Sequence, residues 1–254
     1  MTSHSDRPAW YDAILPVIDL RHGQVVRGIA GRRDEYQPVE SRYADDSRPG
    51  SIAHVYASQF GFQDCYVADL GAILDGQIDV AALEAIAVQG LKVWLDAGIG
   101  NVRQWQASEE ALRDWRPYRW VVGLESLESW QTLEELLACI SPERLVFSLD
   151  MKDGRPMSTR EAFIDQSPEQ ISRHAAELGV KSMILLDLAA VGQGEGSQTE
   201  SLMQTLQEEL PDVELIGGGG MSWPDDIEAL AQHGAARILV ASALHDGRIA
   251  PLGR

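Results

Sequence analysis

The chain has 254 residues, 44% of them apolar and 24% charged, which excludes a disordered tail or a fibrous repeat and allows a sizeable core. Its 39 acidic against 21 basic residues give a formal charge of −18, a field that repels phosphate backbones and anionic headgroups, so neither nucleic acid nor a membrane is expected as a partner. No apolar run approaches the roughly 20 residues that cross a bilayer, and residues 1–12 carry no apolar signal core, so a cytoplasmic protein is expected.

In chain order, residues 1–12 read as an N-terminal extension. Short β-rich runs then recur at 14–18, 65–68, 91–95, 120–122, 145–149, 183–186, 214–216 and 237–240, each followed by helical periodicity. That alternation predicts a parallel sheet with crossover helices. A doubly wound open sheet would alternate in the same way; the count of eight favours closure into one (β/α)8 TIM barrel, a single domain over 1–254. Pro49 with Gly50, Ser167 with Pro168, and Ser222 with Pro224 mark helix starts, while Gly90, Gly179 and Gly234 stand where helices should stop. Cys65 and Cys139 lack metal-ligand spacing and read as reduced structural thiols.

Six acids, Asp19, Asp69, Asp96, Glu125, Asp150 and Asp187, come just past the ends of apolar runs. In a barrel such positions converge on the C-terminal rim, where clustering raises some carboxyl pKa values and suits proton transfer. The alternative for each is that it caps the loop or helix that follows. The two halves also echo each other. Asp19-Leu-Arg-His-Gly23 resembles Asp150-Met-Lys-Asp-Gly154, and Asp69-Leu-Gly-Ala72 resembles Asp187-Leu-Ala-Ala190. Strand one therefore pairs with five and two with six, which places Asp19 and Asp150 face to face as a general acid and base.

Gly217-Gly-Gly-Gly220 follows a strand and precedes a helix start, a joint at which backbone N–H groups can cradle an anion. Gly218, Gly219 and Gly220, with Ser242 after strand eight, are the expected phosphate site. The matching joint of the first half reads Asp96-Ala-Gly-Ile-Gly100, where a carboxylate would repel phosphate, so one site is expected and not two. Arg21 and Arg27 are placed to hold an anion, and Asp69 and Asp187 to contact substrate. His22 and Lys152 read as surface loop residues, and Trp105, Trp115, Trp120 and Trp130 as packing.

From Leu15 to Ile249 the chain resembles the histidine-biosynthesis barrel family, which contains the ProFAR isomerase (HisA) and the imidazole glycerol phosphate synthase cyclase subunit (HisF). The resemblance lies in the opening Pro16-Val-Ile-Asp19-Leu-Arg-His-Gly23-Gln-Val-Val-Arg27, in Ser148-Leu-Asp150, in the glycine turn and in Val240-Ala-Ser-Ala-Leu-His-Asp-Gly247. It implies an Amadori-type aldose to ketose rearrangement of a phosphoribosyl amine without metal or organic cofactor. Asp19 would be the base that removes the sugar C2 proton and Asp150 the acid that opens the furanose ring. The chain departs from the isomerase pattern at Asp96, Gly100, Glu125, Leu186 and Val191 with Gly192. It is thus similar to a divergent HisA/HisF-related branch of methanopterin-type one-carbon metabolism, with a different phosphorylated substrate and an isomerase or lyase activity. A barrel that binds a phosphometabolite without turnover, as the partner of another enzyme, is the rival reading. A monomer or small homo-oligomer is expected, with the loop 155–166 as a candidate lid.

Overall fold

The computed structural model describes residues 7–191 and 199–252. Eight parallel strands form its centre: β1 (Ile14–Arg21), β2 (Asp64–Asp69), β3 (Lys92–Asp96), β4 (Arg119–Gly123), β5 (Leu145–Lys152), β6 (Ser182–Asp187), β7 (Glu214–Gly218) and β8 (Arg237–Val240). Each pairs with the next, and β8 returns to β1 through Leu239 opposite Leu15, so the ring closes as the count of eight strands predicts. The helices are α1 (Pro49–Val55), α2 (Val80–Ala87), α3 (Val102–Leu112), α4 (Trp130–Ile140), α5 (Pro168–Glu177), α6 (Glu200–Glu209), α7 (Pro224–Gln232) and the short α8 (Ser242–His245). Ser167 caps α5 in a box with Gln170, and Asp226 accepts the Ser222 and Trp223 N–H groups ahead of α7.

Strand pleating divides the apolar residues between two cores. Leu15, Tyr66, Trp94, Val121, Val146, Ile184, Ile216 and Leu239 fill the inside of the ring. Their neighbours, among them Ile18, Val67, Leu95, Val122, Phe147, Leu185 and Ile238, pack outward with the helices. Both faces are covered, which is why the strands read as continuous apolar runs. The N-terminal end of the ring is stoppered: Arg119 pairs with Glu214 and Arg237 with Asp64, and their guanidinium groups lie 4.3 Å and 5.8 Å from the Trp94 ring centre. A cavity lies at the opposite end.

Part of the expected extension is structural. Ala9–Asp12 makes a helical turn whose Tyr11 is fully buried, donates its hydroxyl to the Phe60 carbonyl at 3.1 Å and stacks on Phe62. The candidate lid 155–166 is tied down at two points. Arg155–Pro156 pairs back onto β5, and Phe163 is buried edge-on to Trp130, so the segment packs to the side of the opening. A strap from the β1–α1 connection crosses the mouth instead. Along it, Ala30 donates to the Val191 carbonyl at 2.9 Å, and Arg33 makes a two-bond ion pair with Glu125 at 3.0 and 2.7 Å.

Candidate active site at the C-terminal mouth of the barrel

The cavity under this strap has a volume of about 130 Å³ and opens to solvent. Register decides which strand-end acids reach it. Asp19 lies opposite Ala68, and Ala68 opposite Asp96, so all three face inward at one level; on the far side Asp150 lies opposite Leu186 and faces inward too. Asp19, Asp96, Glu125 and Asp150 line the cavity. Asp19 and Asp150 come from strands one and five of an eight-strand ring and so approach from opposite sides, as expected.

Asp69 and Asp187 do not reach it. Each stands one residue beyond an inward-facing residue, Ala68 or Leu186, and the pleat turns it away. Both are buried and tie loops. Asp69 accepts the N–H groups of Ala72 and Asp79 at 3.0 and 2.7 Å, and Asp187 those of Asp153, Gly154 and Ala189 at 3.2, 2.7 and 3.0 Å. The echo between the halves is real in these two residues, but its content there is loop anchoring, the capping alternative. Arg27 also stands off the cavity, paired with Asp246.

The three inward aspartates are walled in by protein except toward the mouth, and this desolvation pushes their pKa values up. Asp19 rises to about 7, moderated by Arg33 and reinforced by Asp96; Asp150 rises to about 7 through burial and then the charge of Asp96. Asp96 rises only to about 6, because the Gly98 N–H and the Tyr66 hydroxyl bond to its carboxylate at 3.0 and 3.1 Å. Gly123 keeps the space between two of them clear: a Cβ there would stand 2.9 Å from Asp150 Oδ2 and 4.0 Å from Asp96 Oδ2.

The glycine turn after β7 meets the same cavity. Gly219 and Gly220 line it with Met221, Ser222, Ser242 and Arg248, whereas Gly218 is the last residue of the strand and is buried between Leu186 and Leu239. Gly219 has φ +102°, and a Cβ there would meet the Asp187 carbonyl at 2.7 Å, so only glycine fits. Among the described residues nothing accepts the Gly220 and Met221 N–H groups, which leaves them for an anion. Arg248 supplies a cation, held by Ser222 at 2.8 Å and Asp246 at 2.6 Å. In the first half the Gly98 N–H, which matches that of Gly220, is taken by Asp96, while the N–H of Gly100 is held by Gln104 Oε1 at 2.7 Å just as that of its counterpart Ser222 is held by Asp226.

Among the lining residues that escape sequence reading are Arg33, Tyr66 and Arg248. Of these, Tyr66 alone left a local signal, since it is two residues before Ala68 and shares its inward parity. Arg33 and Arg248 come from connections with no periodicity to read. Gly192, named above with Val191, lies outside the described residues.

Among the described residues no helix is long and apolar enough to cross a membrane. Comparison with known proteins adds the ancestry. An uncharacterized protein of Methanocaldococcus jannaschii is 27% identical over 92% of this chain and 93% of its own length. The 1-(5-phosphoribosyl)-5-((5-phosphoribosylamino)methylideneamino)imidazole-4-carboxamide isomerases (ProFAR isomerases) of Halobacterium salinarum and Syntrophomonas wolfei are 29% and 28% identical, over 92% and 93% of this chain and 92% and 94% of their own lengths. Residues 13–250 match the model of the family described as histidine biosynthesis protein. That match runs from just before the first barrel strand to beyond the last helix, and the chain belongs to the histidine biosynthesis protein family.

Proposed function

We propose that the protein is an isomerase that converts a phosphorylated, sugar-derived amine from aldose to ketose by an Amadori-type rearrangement, with Asp19 and Asp150 as the acid–base pair. Asp150, protonated, gives its proton to the furanose ring oxygen as the C1–O bond breaks. Asp19, ionised beside Arg33, takes the C2 proton, and the electron pair of that bond passes toward C1. The observation that carries the reading is that two opposed carboxylates, both pushed up to about 7, share one cavity with a turn whose Gly220 and Met221 N–H groups have no acceptor among the described residues. A carboxyl group poised near neutral pH can serve in either protonation state.

The ester phosphate would sit against Gly219, Gly220, Ser242 and Arg248. The first-half loop is a poorer cradle, because Asp96 takes the Gly98 N–H and sets a carboxylate where the second half has Gly218. That favours a singly phosphorylated substrate over the doubly phosphorylated compound named for the relatives, which remains the nearest named activity. The test replaces Asp19 and Asp150 singly by Asn and measures conversion and binding of ProFAR and of simple pentose phosphates. Loss of turnover with binding retained is expected; turnover equal to wild type in both variants overturns the reading.

A further inference from the structure

An acid–base pair needs one member protonated while the other is not, and Asp19 and Asp150 hold their protons almost equally. Their surroundings differ, however. Among the described residues no donor bonds to the Asp19 carboxylate; Tyr36 and Val191 stand near it across Gly28, and although Asp96 opposes its ionisation, the larger charge effect is that of Arg33 on the strap, which favours it. Asp150 accepts the Ser148 hydroxyl at 2.8 Å and the Glu125 backbone N–H, but it faces two further carboxylates, with Asp96 on β3 acting more strongly than Glu125 after β4. The Glu125 charge is already matched by the two bonds from Arg33.

Asp96 also has two donors, but it has the Arg33 charge in its favour where Asp150 has only carboxylates beside it. Two donors from separate elements hold it, Gly98 N–H on its own loop and Tyr66 Oη on β2, and donors of this kind favour the ionised carboxylate. No side chain separates it from Asp150, because Gly123 occupies the strand between them. In the second half, the corresponding position after β7 is glycine, so this anion belongs to one half only.

We propose that Asp96, anchored by Tyr66, is a positioning residue: a fixed anion beside Asp150 that keeps the proton there and so gives Asp150 the acid's part, leaving Asp19 beside Arg33 as the base. This deepens the acid–base reading above and rests on it. The order of acidities agrees, with Asp96 pushed up less than Asp150.

The test is a 13C-carboxyl NMR titration of aspartate-labelled protein, with signals assigned from the Asp150→Asn and Asp96→Asn variants. In Asp96→Asn the midpoint of Asp150 is expected to fall by about one pH unit, as one neighbouring charge is removed from a poorly solvated pair. Tyr66→Phe keeps the carboxylate but removes a donor, so the Asp96 midpoint should rise while that of Asp150 falls by less; this variant also carries the test should Asp96→Asn fail to fold. An Asp150 midpoint that stays in place in the folded variants overturns the proposal. In turnover, the basic limb of kcat/KM should move down with the Asp150 midpoint in Asp96→Asn, with KM within a few-fold of wild type. If Asp19→Asn and Asp150→Asn turn over normally, the isomerase reading fails, while the titration still decides whether Asp96 governs the proton on Asp150.

Discussion

Replacing Asp19 by Asn should make the protein more stable at pH 8 and leave it unchanged at pH 4. The carboxyl is pushed from its ordinary 3.8 up to about 7 by burial, so ionising it in the folded protein is unfavourable. A group whose folded pKa lies above its unfolded value contributes full stability below the unfolded pKa and loses it as pH rises through the folded one. The window is therefore pH 4 to 7, and three pH units correspond to a ceiling of roughly 4 kcal/mol. Solvent at the cavity mouth and the imperfect mimicry by an amide reduce this to about 1–3 kcal/mol. For a domain of this length that is a rise in Tm of roughly 3–9 °C. Thermal melts of both proteins at pH 4 and pH 8 measure it. If Asp19→Asn is no more stable than wild type at pH 8, or gains as much at pH 4, then Asp19 does not sit in the desolvated cavity described.

Other substitutions probe the rest of the site. Arg248→Ala should weaken inorganic phosphate binding about tenfold in calorimetric titration, the worth of one charge-assisted contact, while Arg27→Ala should change it only a few-fold because Arg248 retains Ser222. Asp187→Ala should cost about 2–3 kcal/mol in urea unfolding, since three backbone N–H groups lose their acceptor; a neutral result would mean water replaces it. Gly123→Ala should lower kcat about tenfold or more with little change in melting temperature, because its Cβ would displace the Asp150 carboxylate. An unchanged kcat would show that the carboxylate has room to move.

The barrel and the position of its site were legible because they follow from local rules. Eight apolar runs, each long enough for one strand and each followed by a helical stretch, leave few ways to bury both faces of a sheet, and all eight strands stand where the runs predict. The glycine turn was legible for a similar reason: consecutive glycines mark a backbone path that side chains would obstruct, and at Gly219 the carbonyl that would obstruct it is that of Asp187. Asp19 and Asp150 were found through the repeat between the halves, which survives in the chain order.

What chain order left open was direction and distance. An acid after a strand can point into the ring or away from it according to a one-residue difference in parity, and that difference separates Asp96 from Asp69 and Asp187. Strand ends blurred by one residue in a sequence reading leave that parity undecided; the register of the closed ring settles it. The charged partners of the site, Arg33 against Glu125 and Arg248 against Asp246 and Ser222, come from connections of no regular period. Chain order was enough for eight alternating strands and helices, with acids and an anion turn at the strand ends. Which acids share the cavity and which cations balance them emerged on folding, because those choices depend on side-chain direction and through-space charge.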